Sequence, residues 1–482
     1  MTNGKPPGQS CNVLRELEDI GAVPVIPGQL YYASLPKRLQ AQLPRHDDHQ
    51  SPVQFFTIDD KLLYKPFFQD FGPVNLGHTY RFCRAVQRRL REAEAHRSSD
   101  GGTNGHSHHT PPPPSPAAAA SSQPPVVPSS SPCPSLSLPT PSPRRVLVHY
   151  SNQDPQKRAN AVYLMGAFQV IVLGKTAEQA YAPFLGVYPP LLPFRDASFG
   201  VCTYSCSILD CLKGIQYAIK LGWFDYKTFD VEAYDKYDAV ENGDLNWVIP
   251  NKFMAFSSPF GLDPREQSAL KAKGQHYLPP EDYARIFREV GVGLVVRLNR
   301  KTYDRRRFLD YGIQHIDLFF PDGACPPKDV IDRFLMACET HKHGVAVHCK
   351  AGLGRTGTLI AAYAIKNYKF PAGPFIGWIR ICRPGSILGP QQHFLCEIEK
   401  DLLNADVHES VNKTLMDVSM GMMDDVTSNY QSSHSFHQDV LTAGQKKMLR
   451  RMAAAGDKGQ GERLVAARRE ANMNKREIPA GK

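Results

Sequence analysis

No apolar run in this 482-residue chain is long enough to cross a bilayer: the longest, Ala161 to Gly174, carries Gln169 and stops at fourteen residues, where a spanning helix needs about 20. No apolar h-region follows Met1, so a secretory leader is not expected, and the eleven cysteines, an odd number, are expected to be reduced thiols of cytosol or nucleus rather than disulfide staples. The chain also lacks the C-x2-C pairs of a zinc site. Cys202, Cys206 and Cys211 are spaced otherwise with no matching His pair, and His106, His108 and His109 sit in a soluble tract. Neither metal nor cofactor is expected.

A single small module is excluded by length, since about 100 to 200 residues per domain allows two to four. The net charge of +10 invites a nucleic-acid reading until it is located: eleven Lys/Arg against four acidic residues from Lys446 onward put +7 in the tail and leave +3 for the rest. The basicity belongs to the tail, so no stable nucleic-acid binding is expected.

Thirteen of the forty prolines fall between Pro111 and Pro143, within a Ser-, Gly-, His- and Ala-rich stretch from about 96 to 144. So little apolar surface cannot offset ordering entropy, and the stretch reads as a disordered insert in one domain. Phe55 to Val86 on one side is aromatic, and Val146-Leu-Val-His149 on the other reads as a buried strand. After Trp247, strand-like runs (293–298, 315–320, 344–348) alternate with helical ones (281–290, 328–341, 356–368), an α/β pattern. The sequence repeats. Val146-Leu-Val-His-Tyr150, a nine-residue loop and the apolar run Val162 to Leu173 correspond to Val345-Ala-Val-His-Cys349, a nine-residue loop and Leu359 to Tyr368, which points to a duplicated domain. The implied boundaries are 1–10 disordered; 11–226 an N-terminal domain with the insert 96–144; 227–242 an acidic linker helix; 243–408 a second domain; and 409–482 a disordered basic tail with one short amphipathic helix near Met448 to Arg469.

The informative segment is His348-Cys349-Lys350-Ala351-Gly352-Leu353-Gly354-Arg355-Thr356. A cysteine ending a buried strand before a Gly-rich loop that opens a helix places backbone N–H groups and a positive helix end around one anion. This surrounding is expected to lower the thiol pKa from about 8.5 and make Cys349 a nucleophile. Lys350, Ala351, Gly352, Leu353 and Gly354 would cradle a phosphate that Arg355 holds through two oxygens, and Thr356 would donate to the departing thiolate. An alkoxide leaving group needs a proton donor, for which Asp322, in Phe-Phe-Pro-Asp-Gly, is the candidate, although Pro-Asp-Gly is also ordinary turn chemistry. Gln391 and Gln392 are candidates to orient the hydrolytic water. The first copy lacks the pattern: Tyr150 stands at the cysteine position and Arg158 is two places late.

C-x5-R-[ST] is the signature of cysteine-dependent phosphatases. With Arg380-Ile-Cys-Arg-Pro-Gly-Ser386, Gly389-Pro-Gln-Gln392, Glu241-Asn-Gly-Asp-Leu-Asn-Trp247, Pro193-Phe-Arg-Asp-Ala197 and Asp70-Phe-Gly-Pro-Val-Asn-Leu76, the chain resembles the cell-division-cycle fourteen phosphatase family from Val23 to Leu403, apart from the insert. The resemblance implies an α/β architecture of two tandem dual-specificity-phosphatase-like domains, the first inactive and the second active, joined by a linker helix. It gives Cys349, Arg355 and Asp322 the roles of nucleophile, phosphate clamp and acid. It also implies phosphoprotein partners carrying phosphoserine, less often phosphothreonine, before proline with basic residues beyond. The expected compartments are nucleus and cytoplasm, with nucleolus, spindle pole or centrosome, and basal body among the candidate sites; the oligomeric state is unknown. Asp235, Asp238, Glu241 and Asp244 are candidates to attract the basic residues, or are a solvated helix face. A phosphoinositide phosphatase would place a second Lys where Leu353 stands, and a phosphoprotein-trapping scaffold would not need Cys, Arg and Asp together. In the insert, Thr110, Ser115, Ser131, Thr140 and Ser142 each precede proline and are candidates, once phosphorylated, to occupy the enzyme's own site.

Overall fold

The computed structural model describes residues 15–43, 51–99, 145–259, 265, 278–412 and 460–473. Of the proline-rich insert 96–144, the first four residues end the helix Leu76–Ser99, and 100–144, with its Ser-Pro and Thr-Pro sites and its histidines, lies outside the described residues, as do 1–14 and 413–459.

Two sheets are built on the same plan. In the first, β1 (Val23–Ile26) and β2 (Leu30–Ser34) form an antiparallel hairpin, β3 (Val53–Phe56) follows, and β4 (Val146–Ser151) lies parallel between β2 and β3 in the order β1-β2-β4-β3. In the second, the hairpin of β5 (Leu245–Ile249) and β6 (Phe253–Phe256) is joined by β7 (Val292–Arg297), β8 (Gln314–Asp317) and β9 (Gly344–His348), in the order β5-β6-β9-β7-β8. In each sheet the strand of the duplicated motif has a parallel neighbour on both sides. All five residues of β9 are buried, as a strand covered on both faces requires; hence its unbroken Gly-Val-Ala-Val-His rather than an alternating pattern.

The helices are α1 (Leu76–Ser99), α2 (Pro155–Ile171), α3 (Ile208–Lys220), α4 (Val231–Asp238), α5 (Pro280–Glu289), α6 (Lys328–Thr340), α7 (Gly354–Tyr368), α8 (Ala372–Cys382), α9 (Pro390–Asn412) and α10 (Gln460–Met473), with shorter turns between them. Among the described residues no helix is long and apolar enough to cross a membrane. The duplicated units are β4-α2 and β9-α7. Each helix is sheathed in core: α2 buries Ala161 to Val170 and α7 buries Gly354 to Lys366 without interruption.

The domains share one apolar core. They meet where α3 crosses α8, and two glycines permit the approach: a Cβ at Gly377 would come 2.8 Å from Cys211 Cα, and one at Gly214 2.6 Å from the Pro374 carbonyl. The expected acidic linker is the two-turn α4, capped by Asp230 accepting from Ala233 N–H at 2.8 Å, followed by a 3-10 turn at Val240–Asn242. The one helix expected in the tail, near Met448 to Arg469, is described as α10 from Gln460 onward. Helix α10 packs on the second domain, because Gly461, Leu464, Val465 and Arg468 share one face at helical spacing and find there a surface of both apolar and acidic groups.

Candidate active site

His348 ends β9, and Cys349 follows it at the mouth of the loop, 3% exposed. The loop is fixed from several sides. Leu298 N–H donates to the His348 carbonyl at 2.9 Å, and Ser258 N–H donates to the Lys350 carbonyl at 3.0 Å. Gly352 has φ +67°, and a Cβ there would lie 2.0 Å from the Phe256 carbonyl oxygen, so only glycine fits. No side chain caps the N-terminus of α7 at Leu353. Its first-turn amides therefore remain available to an anion at the loop.

Arg355 is anchored by its Nη1, which donates to the carbonyls of Phe320 at 3.0 Å and Leu298 at 3.3 Å, while Nη2 forms an ion pair with Asp322 Oδ1 at 3.2 Å. The structure thus brings Cys349 and Asp322 into one pocket, with Arg355 paired to Asp322 behind its wall, which also includes Gly323, Ala351, Gly354, Leu388 and Gln391. Thr356 Oγ1 is buried without a hydrogen-bond partner among the described residues.

The two glutamines separate. Gln391 faces the pocket, with Nε2 donating to the Ala324 carbonyl at 3.0 Å and Oε1 accepting from Leu388 N–H at 3.2 Å. Gln392 turns inward, its Oε1 accepting from Arg380 at 2.5 Å. Adjacent in sequence, they project to different sides of α9.

The four acidic candidates do not form one solvated face. Asp235 pairs with Arg81 of the first domain. Glu241 is exposed. Asp238 and Asp244 converge on Arg468 of α10, with Oδ1 of Asp238 2.8 Å from Nη2 and Oδ1 of Asp244 2.7 Å from Nε. Asp244 is itself buried, at φ +54° directly after Gly243, and its two carboxylate oxygens meet Arg383 Nη1 at 2.9 Å and Nη2 at 3.0 Å.

Arg383 is the main residue the sequence reading passed over. Fully buried under the loop, it donates from Nε to the Gly352 carbonyl at 2.8 Å and from Nη2 to the Ala351 carbonyl at 3.0 Å, and from Nη1 to Asn246 Oδ1 at 2.6 Å. One guanidinium so ties together β5, the residue before it and the loop, a task for a planar five-donor group. A second unread group lies behind Cys349. Tyr303 Oη is 2.6 Å from His348 Nε2 and 3.0 Å from His315 Nε2, and His348 Nδ1 is 3.0 Å from the Cys349 carbonyl, to which it donates. Burial pushes His348 well below the usual imidazole range and His315 down to about 3. The first domain reaches the site as well, since Asp196 Oδ2 accepts from Gly389 N–H at 2.5 Å, next to Gln391. Arg383 and Asp196 both lie in sequence blocks that carried the family resemblance, but nothing in the blocks tells which side chains turn inward.

The candidate metal ligands stay apart from this site: Cys206 and Cys211 approach to 3.9 Å in the core, while Cys202 donates to the Tyr204 carbonyl.

A strand, a Cys-x5-Arg loop and a helix in a parallel sheet, with a carboxyl across the pocket, define the dual-specificity phosphatase class, and the fold is present twice. The comparisons agree. The family model "Dual specificity protein phosphatase, N-terminal half" matches residues 24–100 and 137–218, and "Polymorphic toxin system, DSP-PTPase phosphatase" matches 273–369. Human dual specificity protein phosphatase CDC14A is 43% identical over 395 residues, 82% of this chain and 56% of that protein; the tyrosine-protein phosphatase CDC14 of Saccharomyces cerevisiae is 36% identical over 345 residues, 71% and 54% respectively. Among solved structures, that of PTPMT1 aligns with TM-score 0.28 and 18% identity over 34% of this chain and 98% of its own. The chain belongs to the CDC14 family of dual specificity phosphatases. It spans about half the length of the curated relatives it matches.

Proposed function

We propose that the chain is a cysteine-dependent protein phosphatase acting on phosphoserine, less readily on phosphothreonine and phosphotyrosine, where proline follows and basic residues lie beyond. It would reverse proline-directed, cyclin-dependent kinase phosphorylation in cell-cycle, cytokinesis or cilium control, in nucleus and cytoplasm. The observation that carries the reading is the convergence of Cys349, the uncapped start of α7 and Asp322 in one pocket, with Arg355 paired to Asp322.

In the chemistry this supports, the Cys349 thiolate attacks phosphorus, the P–O bond to the serine oxygen breaks, and Asp322 transfers a proton to that oxygen. The loop amides and Arg355 hold the three equatorial oxygens as charge spreads over them. A water oriented by Gln391 then gives its proton to Asp322 and attacks phosphorus. The S–P bond breaks, with Thr356 donating to the departing thiolate, and inorganic phosphate leaves. Asp238 and Asp244 supply the negative charge that a basic residue of the substrate would meet. The first domain reaches this step through Asp196, which holds Gly389.

Cys349→Ser is the test. With the amides and Arg355 intact, the variant should retain phosphopeptide binding while turnover falls on the order of a thousandfold or more. Phosphate release above a tenth of the parent's would remove Cys349 as nucleophile.

A further inference from the structure

The catalytic rim carries charge of both signs, on opposite sides of the phosphate loop. The strand registers place Leu245 of β5, Phe256 of β6, His348 of β9, Arg297 of β7 and Asp317 of β8 in one row across the sheet. Cys349 follows this row on β9. Asp244 adjoins it at the β5 end, two strands away, which is about 10 Å at a spacing of about 4.8 Å. On the other side the chain leaving β7 runs Leu298-Asn299-Arg300-Lys301-Thr302, and the chain leaving β8 runs Leu318-Phe319-Phe320. Both segments belong to the site, since Arg355 Nη1 donates to the Leu298 and Phe320 carbonyls.

The segment after β7 is a pinned turn. Asn299 Nδ2 donates to Ser258 Oγ at 3.3 Å, and Thr302 Oγ1 lies 3.1 Å from the same oxygen and donates to the Pro259 carbonyl at 3.2 Å. Ser258 in turn donates its N–H to the Lys350 carbonyl of the phosphate loop. Between these anchors Arg300 and Lys301 are exposed. The Arg300 guanidinium lies 6.0 Å from the centre of the partly exposed Phe319 ring, which turns it toward the β8 side. Further along the same crossover Arg307 pairs with Glu281 of α5, and Asp304 accepts from Arg306 N–H at 2.9 Å.

A peptide seated with its basic residue toward Asp238 and Asp244 runs its N-terminal residues the other way, over this turn. An extended chain advances about 3.3 Å per residue, so the about 5 to 10 Å of one to two strand spacings correspond to the second or third residue before the phosphoserine. We infer that Arg300, with Lys301 beside it and Phe319 against it, forms a subsite for an anionic side chain, carboxylate or phosphate, at one of those two positions. The inference deepens the phosphatase reading and rests on it for the direction of the peptide. A guanidinium packed on a ring and carried by a pinned turn has little freedom left to lose on binding, which lets an exposed cation select.

The test is a panel of phosphoserine-proline peptides with a basic residue beyond, bearing glutamate, a phosphonate analogue of phosphoserine, alanine or lysine at each of the four positions before the phosphoserine. Two readouts are followed on the full chain: kcat/KM of the parent and of Arg300→Glu, and the peptide affinity of Cys349→Ser with and without Arg300→Glu, by fluorescence anisotropy. An exposed ion pair shifts binding by about two- to fivefold. An anionic residue at the second or third position should therefore lower KM by that factor against alanine, lysine should raise it, and Arg300→Glu should exchange the two preferences. A gain from glutamate and phosphonate alike supports the subsite for any anion, and a gain from the phosphonate alone supports it for phosphate. Equal constants for all four residues at every position, or a preference that Arg300→Glu leaves unchanged, would overturn the subsite while phosphate release still upholds the phosphatase reading. A preference in the affinities of Cys349→Ser, with no phosphate released by any protein that keeps Cys349, would uphold the subsite and remove the phosphatase reading.

Discussion

In the first domain β4 delivers the chain to a loop in which Asp154 caps α2, its Oδ1 accepting from Gln156 N–H at 3.0 Å and Lys157 N–H at 2.9 Å. In the second, β9 delivers it to a glycine-rich loop, and α7 begins with no side-chain cap. The frames are alike and the anion differs: the first unit carries its own carboxylate where the second leaves the helix end open. Arg158 of the first unit donates to the Pro189 carbonyl at 2.7 Å, while Arg355, also anchored on backbone carbonyls, pairs with Asp322 of the pocket wall. The comparison teaches that in the first unit a capping carboxylate closes the helix end, in a loop that also lacks the cysteine and the glycines of the second. The histidines before the two loops differ in the same sense. His348 is locked between Tyr303 and the Cys349 carbonyl, but His149 is wedged among Phe56, Phe82 and Tyr32 with neither ring nitrogen hydrogen-bonded.

The comparison can be broken most severely at Asp322, the proposed acid of the second unit. Asp322→Asn should lower kcat/KM for phosphoserine peptides by about 10²- to 10⁴-fold, but only mildly for an aryl phosphate, whose leaving group needs little protonation. Equal losses on both substrates would remove Asp322 as acid. Next in size is the support beneath the active loop. Arg383→Met leaves the carbonyls of Ala351 and Gly352 buried without their donor and Asp244 with Arg468 alone, and should cost about 3–5 kcal/mol of stability, read as a fall in denaturation midpoint; an unaltered midpoint would mean the loop holds itself.

A smaller effect concerns pH. His149, His315 and His348 have folded-state pKa values pushed down by burial, the first two to about 3, so the unfolded chain binds protons that the folded chain refuses. Stability should be complete above the ordinary histidine value of about 6.5 and fall as pH drops below it, each group contributing up to about 1.4 kcal/mol per pH unit. A melting temperature that stays constant from pH 7.5 to 5.5 would contradict this, and His149→Phe should lessen the slope by the first domain's share. The mildest change tests the cap itself. Asp154→Ala should cost about 1 kcal/mol and leave turnover unchanged; a melting temperature equal to the parent's would show that α2 does not depend on it.

The local features of this protein were legible in its sequence because local chemistry produces them. Strands β7 and β9 and helices α5, α6 and α7 lie within a few residues of the positions read from apolar periodicity, and the Cys-x5-Arg loop is closed by its own glycines. The duplication was visible because both copies keep a buried Val-x-Val-His strand at the same distance from an apolar helix. What the sequence left open was which polar side chains turn inward. Gln391 and Gln392 are neighbours with the same chemistry, and only the packing of α9 on Arg380 separates them. Asp244 reads as one more charge in an acidic run until Arg383, 139 residues away, draws it under the loop. The place of α10 was hidden for the same reason: a four-residue stripe in a basic tail carries no address, and the partners that give it one, Asp322, Lys350, Asp238 and Asp244, are assembled from separate elements. Residue type and spacing fix what a segment can do alone, whereas the burial of a charge depends on a partner that only the folded chain brings within 3 Å.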